Sequence, residues 1–160
     1  MTTATISELK KELHHLAAPE LTELLLRTAR FKKENKELLT YLLFESSDEA
    51  AFIRGVQSEM AEFFADINTS NVYFAKKTIR KVLRHINKYS HYSGKPETQA
   101  ELLIWFCHQL LELRLPMGKN TVLYNIFFNQ LKKANNVVAS LHEDLQYDFL
   151  KDLKKLEKEI

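Results

Sequence analysis

Glycine and proline are scarce in this sequence of 160 residues, which contains three of each. Average usage would give about eleven glycines and about eight prolines in this length. Because glycine supplies the positive-φ positions of tight turns, a fold with many hairpins has too few turn residues here. The scarcity therefore disfavours a many-stranded β fold and favours an α-helical one.

Cysteine and long apolar runs are also nearly absent. Cys107 is the single cysteine, so an internal disulfide is excluded, and its apolar neighbours predict a buried small side chain rather than a reactive thiol. No apolar run approaches the ~20 residues that a membrane-spanning helix needs, and the first residues lack the pattern of a signal peptide. We therefore expect a cytoplasmic protein that makes no membrane contact.

An excess of one charge is missing as well, since 23 Lys and Arg face 21 Asp and Glu and the net charge is only +2. This charge is too small to attract nucleic acid or a membrane to the whole molecule. With 45% apolar and 28% charged residues, the composition is that of a globular chain rather than a disordered one. The length fits a single domain over residues 1–160 that needs no disulfide or metal for stability.

Apolar residues recur at helical spacing and predict about eight helices, which makes the fold class all-α. Capping-box spacing, with a glutamate three residues after a serine or threonine, occurs at Thr5, Ser46 and Ser140. Pro19 and Pro96 suit the first turn of a helix. The predicted helices begin near Ser7, Pro19, Asn35, Ser46, Val72, Pro96, Asn120 and Ser140.

Two arrangements of these helices remain open. Eight helices in this length correspond to one helical hairpin per ~40 residues, the repeat length of HEAT-like arrays, which predicts a short α-solenoid of stacked hairpins. The alternative is an irregular helical bundle. The break at Gly94 is the clearest in the chain and can separate two halves, and the last helix is expected to cover the apolar face of the seventh.

Residues 7–13, 19–26 and 35–39 carry leucines at helical spacing, and a basic helix near 76–88 and an apolar helix at 102–113 follow. This order resembles a family of small all-helical bacterial proteins that is known only as a domain of unknown function. The resemblance rests on leucine periodicity and connector positions over most of the chain. It implies a helical fold and a bacterial cytoplasm, and it supplies no site residue.

Motifs of catalysis and cofactor binding are missing. Gly55, Gly94 and Gly118 are isolated, so no phosphate-binding loop is present. His108 and Glu112 can supply two metal ligands from one helix face, yet no further ligand motif accompanies them. We therefore expect no metal and no cofactor, and an enzyme built from dispersed His, Glu and Asp residues is the least favoured function.

The strongest local feature is the separation of charges between two neighbouring helices. Residues 45–66 contain six acids and one base, whereas residues 72–95 contain seven bases and no acid. At about 100° per residue, four of these bases lie opposite the core-facing Ile79. This candidate binding surface consists of Lys77, Lys81, Arg84 and Lys88.

Three interpretations of this surface compete. The leading hypothesis is a non-enzymatic helical scaffold that binds a protein partner, either between helix layers or along the basic helix 72–92. The alternative is a nucleic-acid-binding module in which the bases contact phosphates and nearby tyrosines and histidines stack on nucleobases. The third is structural, with the bases pairing with the acidic helix 48–67. The sequence leaves the oligomeric state open.

Overall fold

The computed structural model describes residues 2–118 and 121–159 of the chain. Within these ranges it contains eight α-helices and no β-strand, which confirms the all-α fold class. The predicted start of the seventh helix at Asn120 lies outside them. The helices are α1 (Ile6–His14), α2 (Ala18–Phe31), α3 (Lys33–Thr40), α4 (Glu49–Ala65), α5 (Val72–Ser93), α6 (Pro96–Glu112), α7 (Val122–Val138) and α8 (Glu143–Lys158), and a π-helical turn (Tyr41–Glu45) follows α3.

Three helix starts follow the predicted local chemistry. The Thr5 hydroxyl accepts the backbone N–H of Glu8 at 3.3 Å, and the Glu8 carboxylate accepts the backbone N–H of Thr5 at 2.7 Å. These hydrogen bonds form a capping box and hold the pKa of Glu8 below its usual value. Pro19 and Pro96 lie in the first turns of α2 and α6, where a missing N–H costs no helical hydrogen bond.

Two predicted capping boxes are wrong. The N-cap of α4 is Asp48 rather than Ser46, and the Asp48 carboxylate accepts a backbone N–H of the first turn at 2.9 Å. The N-cap of α8 is His142, whereas the Ser140 hydroxyl donates to the carbonyl of Val137 at 2.6 Å. In both segments several residues are able to cap, and the one nearest the first helical turn does so.

Contacts divide the chain into two compact units, Met1–Phe44 and Glu45–Ile160. Gly94, with φ of 67°, ends α5 as expected, but α5 and α6 on its two sides pack together inside the second unit. The break at Gly94 is therefore a helix boundary and does not separate the two units. In the first unit α2 packs against α3, and none of the described side chains of α1, α2 and α3 is buried.

Helix α6 is central to the second unit because it packs against α4, α5, α7 and α8. Its side chains Leu102, Phe106 and Cys107 are fully buried, as the apolar run predicts. This burial confirms the small core side chain predicted at Cys107, and it raises the pKa of the thiol to about 12.

Helix α8 packs against both α7 and α6 and buries Leu153 and Leu156, so the expected cover over α7 is confirmed. Leu145, near the start of α8, stays 41% exposed. The predicted core face of α7 is buried throughout and consists of Leu123, Phe127, Leu131, Ala134 and Val138. The HEAT-like array and the irregular bundle both stay predictions, as does the single domain.

Candidate binding groove on helix α5

Helix α5 presents a wide basic surface because only one of its sides is taken up by the core. The Asn71 side chain caps its first turn by accepting the backbone N–H of Phe74 at 3.3 Å. The buried side includes Ala75, Ile79, Val82 and Ile86 at helical spacing. The seven bases of residues 72–95 therefore lie on the remaining surface or in the turn that follows the helix.

An open groove of about 730 Å³ runs along one side of α5. It is lined by Tyr73, Lys76, Lys77, Arg80, Leu83, Arg84 and Asn87. These residues follow each other at steps of three or one, so they form one helix face. No acid is among the described residues that line the groove. The four bases, which we call the groove cations, form no ion pair within the described part of the chain.

The structure divides the basic stripe that the sequence predicts. Lys77 and Arg84 line the groove together with Lys76 and Arg80, which the predicted stripe left out. Relative to Lys77, Arg80 and Lys76 lie about 60° and 100° toward the groove side of the helix, and Arg84 lies about 20° toward it. The groove therefore lies to one side of the predicted stripe and shares only Lys77 and Arg84 with it.

The other two bases of that stripe contact aromatic rings. The Lys81 ammonium lies 4.2 Å from the ring centroid of Phe63 on α4. The Lys88 ammonium lies 4.9 Å from the ring centroid of Tyr89 and 5.9 Å from that of Tyr92. Cation–π contacts of this kind hold the lysine ammonium against an aromatic ring of the same chain. Lys81 and Lys88 are thus outside the described lining of the groove.

The acidic helix α4 does not neutralise the groove cations. Its contact with α5 includes a hydrogen bond from the Tyr89 hydroxyl to the Glu59 carboxylate at 3.0 Å and a stack of Phe63 on His85 with ring centroids 5.9 Å apart. These residues lie on the opposite flank of α5 from the groove. The predicted pairing of acidic and basic helices is therefore not formed by the four groove cations among the described residues.

Glu49 at the start of α4 makes the acid–base contact that the charge separation predicts, but at the end of α5. Its Oε2 pairs with the Lys95 ammonium at 2.8 Å. Its Oε1 accepts the hydroxyls of Ser93 at 2.5 Å and of Thr98 at 2.6 Å. Sequence spacing suggested only a capping role for Glu49, because a contact with residues more than 40 positions away has no local signal.

A second concavity of about 500 Å³ adjoins the groove, since Asn87 lines both. Its lining is Asn87, Ser90, His91, Gly94, Lys95, Pro96, Gln99 and Lys133. The Lys133 ammonium on α7 donates to the Asn87 side-chain oxygen at 2.8 Å. Again no acid is among the described lining residues, so the basic track continues from the groove toward the start of α6.

Two exposed aromatic side chains stand at the amino-terminal end of the groove. Tyr73 is 70% exposed and Phe74 is 59% exposed, and their rings meet edge to face with centroids 5.4 Å apart. Tyr73 is one of the tyrosines that the sequence places near the predicted basic stripe, whereas Phe74 was not among the predicted site residues. The sequence signal for both residues is a pair of adjacent aromatic side chains at the start of a basic helix.

The described residues hold no cluster of three or more His, Cys, Asp or Glu side chains that fits a metal ion. His108 and Glu112 share a helix face, as expected from their spacing. No described helix is both long enough and apolar enough to cross a membrane.

Comparison with known protein families, with curated proteins and with solved structures finds no match for this chain. The resemblance to an uncharacterised bacterial family accordingly stays an expectation.

Proposed function

We propose that this protein is a non-enzymatic module that binds single-stranded nucleic acid along the α5 groove. The observation that carries the proposal is the set of groove cations, which share one open face without an acid or an ion pair in the described residues. Cations in such an arrangement can neutralise successive phosphates and release their counterions. Nucleic-acid binding by the basic helix 72–92 is the alternative that the sequence predicts, and the groove supports it more than a protein partner at this surface.

Tyr73 supports a single strand over a duplex. Its ring is exposed and lines the same groove as the cations. A tyrosine stacks on any unpaired base, and base–aromatic stacking contributes about 1–3 kcal/mol per base. In a duplex the faces of the bases are already stacked on each other and offer no such contact. Phosphate contacts from the groove cations, together with stacking of one base on Tyr73, predict binding without a strong sequence preference.

The length of the site follows from the helix geometry. Lys76 and Arg84 are separated by about 12 Å along the axis of α5. Farther along the track, His91 and Lys133 line the second concavity. The groove thus fits a short stretch of backbone, and the second concavity extends it by a few nucleotides.

The test compares two double variants that each remove two positive charges from α5. The groove variant, Lys77→Gln with Arg84→Gln, changes two groove cations, and the control variant, Lys81→Gln with Lys88→Gln, changes two bases outside the groove. Fluorescence anisotropy titrations use labelled single-stranded RNA, single-stranded DNA and duplex DNA of equal length over a range of salt concentrations.

Counterion release gives the expected magnitudes. If the four groove cations each neutralise a phosphate of a single strand, log affinity falls against log salt with a slope of ~−2.8. The affinity of the parent then falls about 50-fold between about 50 and 200 mM salt. The groove variant should have a slope of ~−1.4, while the control variant should keep a slope close to that of the parent.

Two outcomes contradict the proposal. The first is no binding of any of the three nucleic acids at low salt. The second is an equal loss in the groove and control variants, because this would trace the binding to the overall charge of the molecule rather than to the groove. Far-ultraviolet circular dichroism of both variants checks that helicity is kept, as expected because Gln is a good helix former.

A protein partner, the leading hypothesis from the sequence, has support at a different surface. The helices of the first unit carry large exposed apolar side chains, including Ile6 at 81% and Phe31 at 77% exposure. Large exposed apolar side chains are enriched at protein interfaces, where they become buried on binding. A second copy of the chain is the first partner to test, by measuring the molecular mass in solution.

A further inference from the structure

Helix α2 exposes an open groove that differs in character from the groove on α5. It is lined by Pro19, Glu20, Glu23, Leu24, Arg27 and Arg30. Leu24 is 45% exposed, and Phe31, next to this face in the last turn, is 77% exposed. Apolar and charged side chains of both signs therefore share this surface, as in the core and rim of a protein interface.

The charges of α2 are ordered symmetrically along the helix. Glu23 and Glu20 stand two and five residues before Leu25, and Arg27 and Arg30 stand two and five residues after it. A second α2 placed antiparallel about this midpoint brings each acid opposite an arginine of the other copy. A twofold interface requires a surface that is complementary to itself, and this order of charges satisfies that requirement.

The charged side chains are available for such pairing. Glu23 and Arg27 have the spacing of an intrahelical ion pair, yet neither they nor Arg30 take part in an ion pair or side-chain hydrogen bond within the described residues. The Glu20 Oε2 atom accepts the backbone N–H of Ala17 at 2.8 Å, so this carboxylate has a local role as well. Glu23 and Arg27 are accordingly the cleanest positions for a test.

We propose that α2 is a self-association surface, which pairs antiparallel with α2 of a second copy of this chain in a twofold dimer. Leu24 packs near the twofold axis against Leu24 of the second copy, and burial of this leucine and of Phe31 supplies the apolar part of the interface. Glu23 faces Arg27 of the second copy on each side of the axis and sets the register. This inference goes beyond the proposed binding of nucleic acid and is independent of it.

Charge reversal on the full chain tests the pairing. Sedimentation equilibrium of the parent should give a dimer at micromolar concentration. Glu23→Arg alone and Arg27→Glu alone should each weaken the dimer about tenfold or more, because like charges then face each other across the interface. An equimolar mixture of these two variants should form a heterodimer. One chain then carries arginine at positions 23 and 27 and the other carries glutamate at both, so opposite charges face each other on each side of the axis.

The mixture separates the dimer from effects within one helix. Each variant chain keeps its unfavourable intrahelical neighbour in the mixture, so recovery of mass can come only from pairing between chains. Glu12→Arg on α1 is the matched control, with the same change of charge away from the α2 groove, and should leave the mass unchanged.

A monomeric parent at about 100 µM, a concentration far above a micromolar Kd, would overturn the proposal. So would single reversals that still dimerise, or a mixture that stays monomeric while circular dichroism finds both chains helical. None of these results bears on the α5 groove, so the two proposals fail separately.

Discussion

Replacing Glu49 by alanine should destabilise the second unit by about 3 kcal/mol, since its carboxylate accepts the hydroxyls of Ser93 and Thr98 and pairs with the Lys95 ammonium. The largest part of this loss in the free energy of unfolding comes from Thr98. Its side chain is completely buried, and its hydroxyl would lose this acceptor at a cost of about 1–3 kcal/mol. The hydrogen bond from Ser93 adds about 1 kcal/mol. The ion pair with Lys95 adds less than about 1 kcal/mol, because the lysine is 48% exposed and screened by solvent.

Urea unfolding followed by the fluorescence of Trp105 measures this change. Trp105 is the single tryptophan of the chain and lies on α6, so its signal reports the second unit. Glu62→Ala, an exposed acid on the same helix, is the control and should change the free energy of unfolding by less than about 0.5 kcal/mol. A loss below about 1 kcal/mol for Glu49→Ala would refute the reasoning that the buried hydroxyl depends on this carboxylate.

Thr98→Val in the Glu49→Ala background provides an internal check on the same reasoning. Valine has nearly the shape of threonine and carries no hydroxyl that needs an acceptor. The double variant should therefore recover about 1 kcal/mol or more relative to Glu49→Ala alone. If the losses from Glu49→Ala and Thr98→Val simply add in the double variant, the effect of Glu49 comes instead from its favourable position as an acid in the first turn of α4.

Two further predictions concern Tyr73 and Cys107. Tyr73→Ala should weaken binding of single-stranded RNA by about 5- to 150-fold, the equivalent of about 1–3 kcal/mol, and should leave the salt slope unchanged in the titration described above. The Cys107 thiol should not react with a disulfide reagent near pH 8 until urea unfolds the chain, because it is fully buried and its pKa is raised to about 12. Since only the unfolded thiol ionises above about pH 9, its contribution to stability should fall as the pH rises from there toward 12.

The helices and the core of the second unit could be predicted because their signals are local. The buried face of α7, from Leu123 to Val138, repeats every three or four residues, and this period is set by the helix itself. Helix starts were less predictable where several capping residues adjoin. Ser46 and Asp48 compete for the start of α4, and the backbone geometry at each residue, which spacing does not encode, decides between them.

The candidate site was only half predictable for a related reason. Helical spacing places Lys77, Arg84 and Lys81 within about 60° of each other, but it does not say on which flank a neighbouring helix packs. Phe63 on α4 contacts Lys81, so that flank is covered and the open groove lies on the other. Lys76 and Arg80 were not predicted because they lie on the helix between its buried side and the side opposite the core. Only the position of α4 on the other flank shows that their side of α5 is open.

The first unit reveals a limit of a different kind. An amphipathic helix has the same sequence period whether its apolar face is packed in the core or left for a partner. Leu24 on α2 and Leu131 on α7 both repeat at helical spacing, yet Leu24 is 45% exposed and Leu131 is 5% exposed. In α2 the acids before Leu25 and the arginines after it also stand at matching distances from this midpoint, and a helix packed within its own chain needs no such symmetry. Charge order along an amphipathic helix can therefore carry information about a partner that hydrophobic periodicity lacks, and the reversal of Glu23 and Arg27 tests that inference directly.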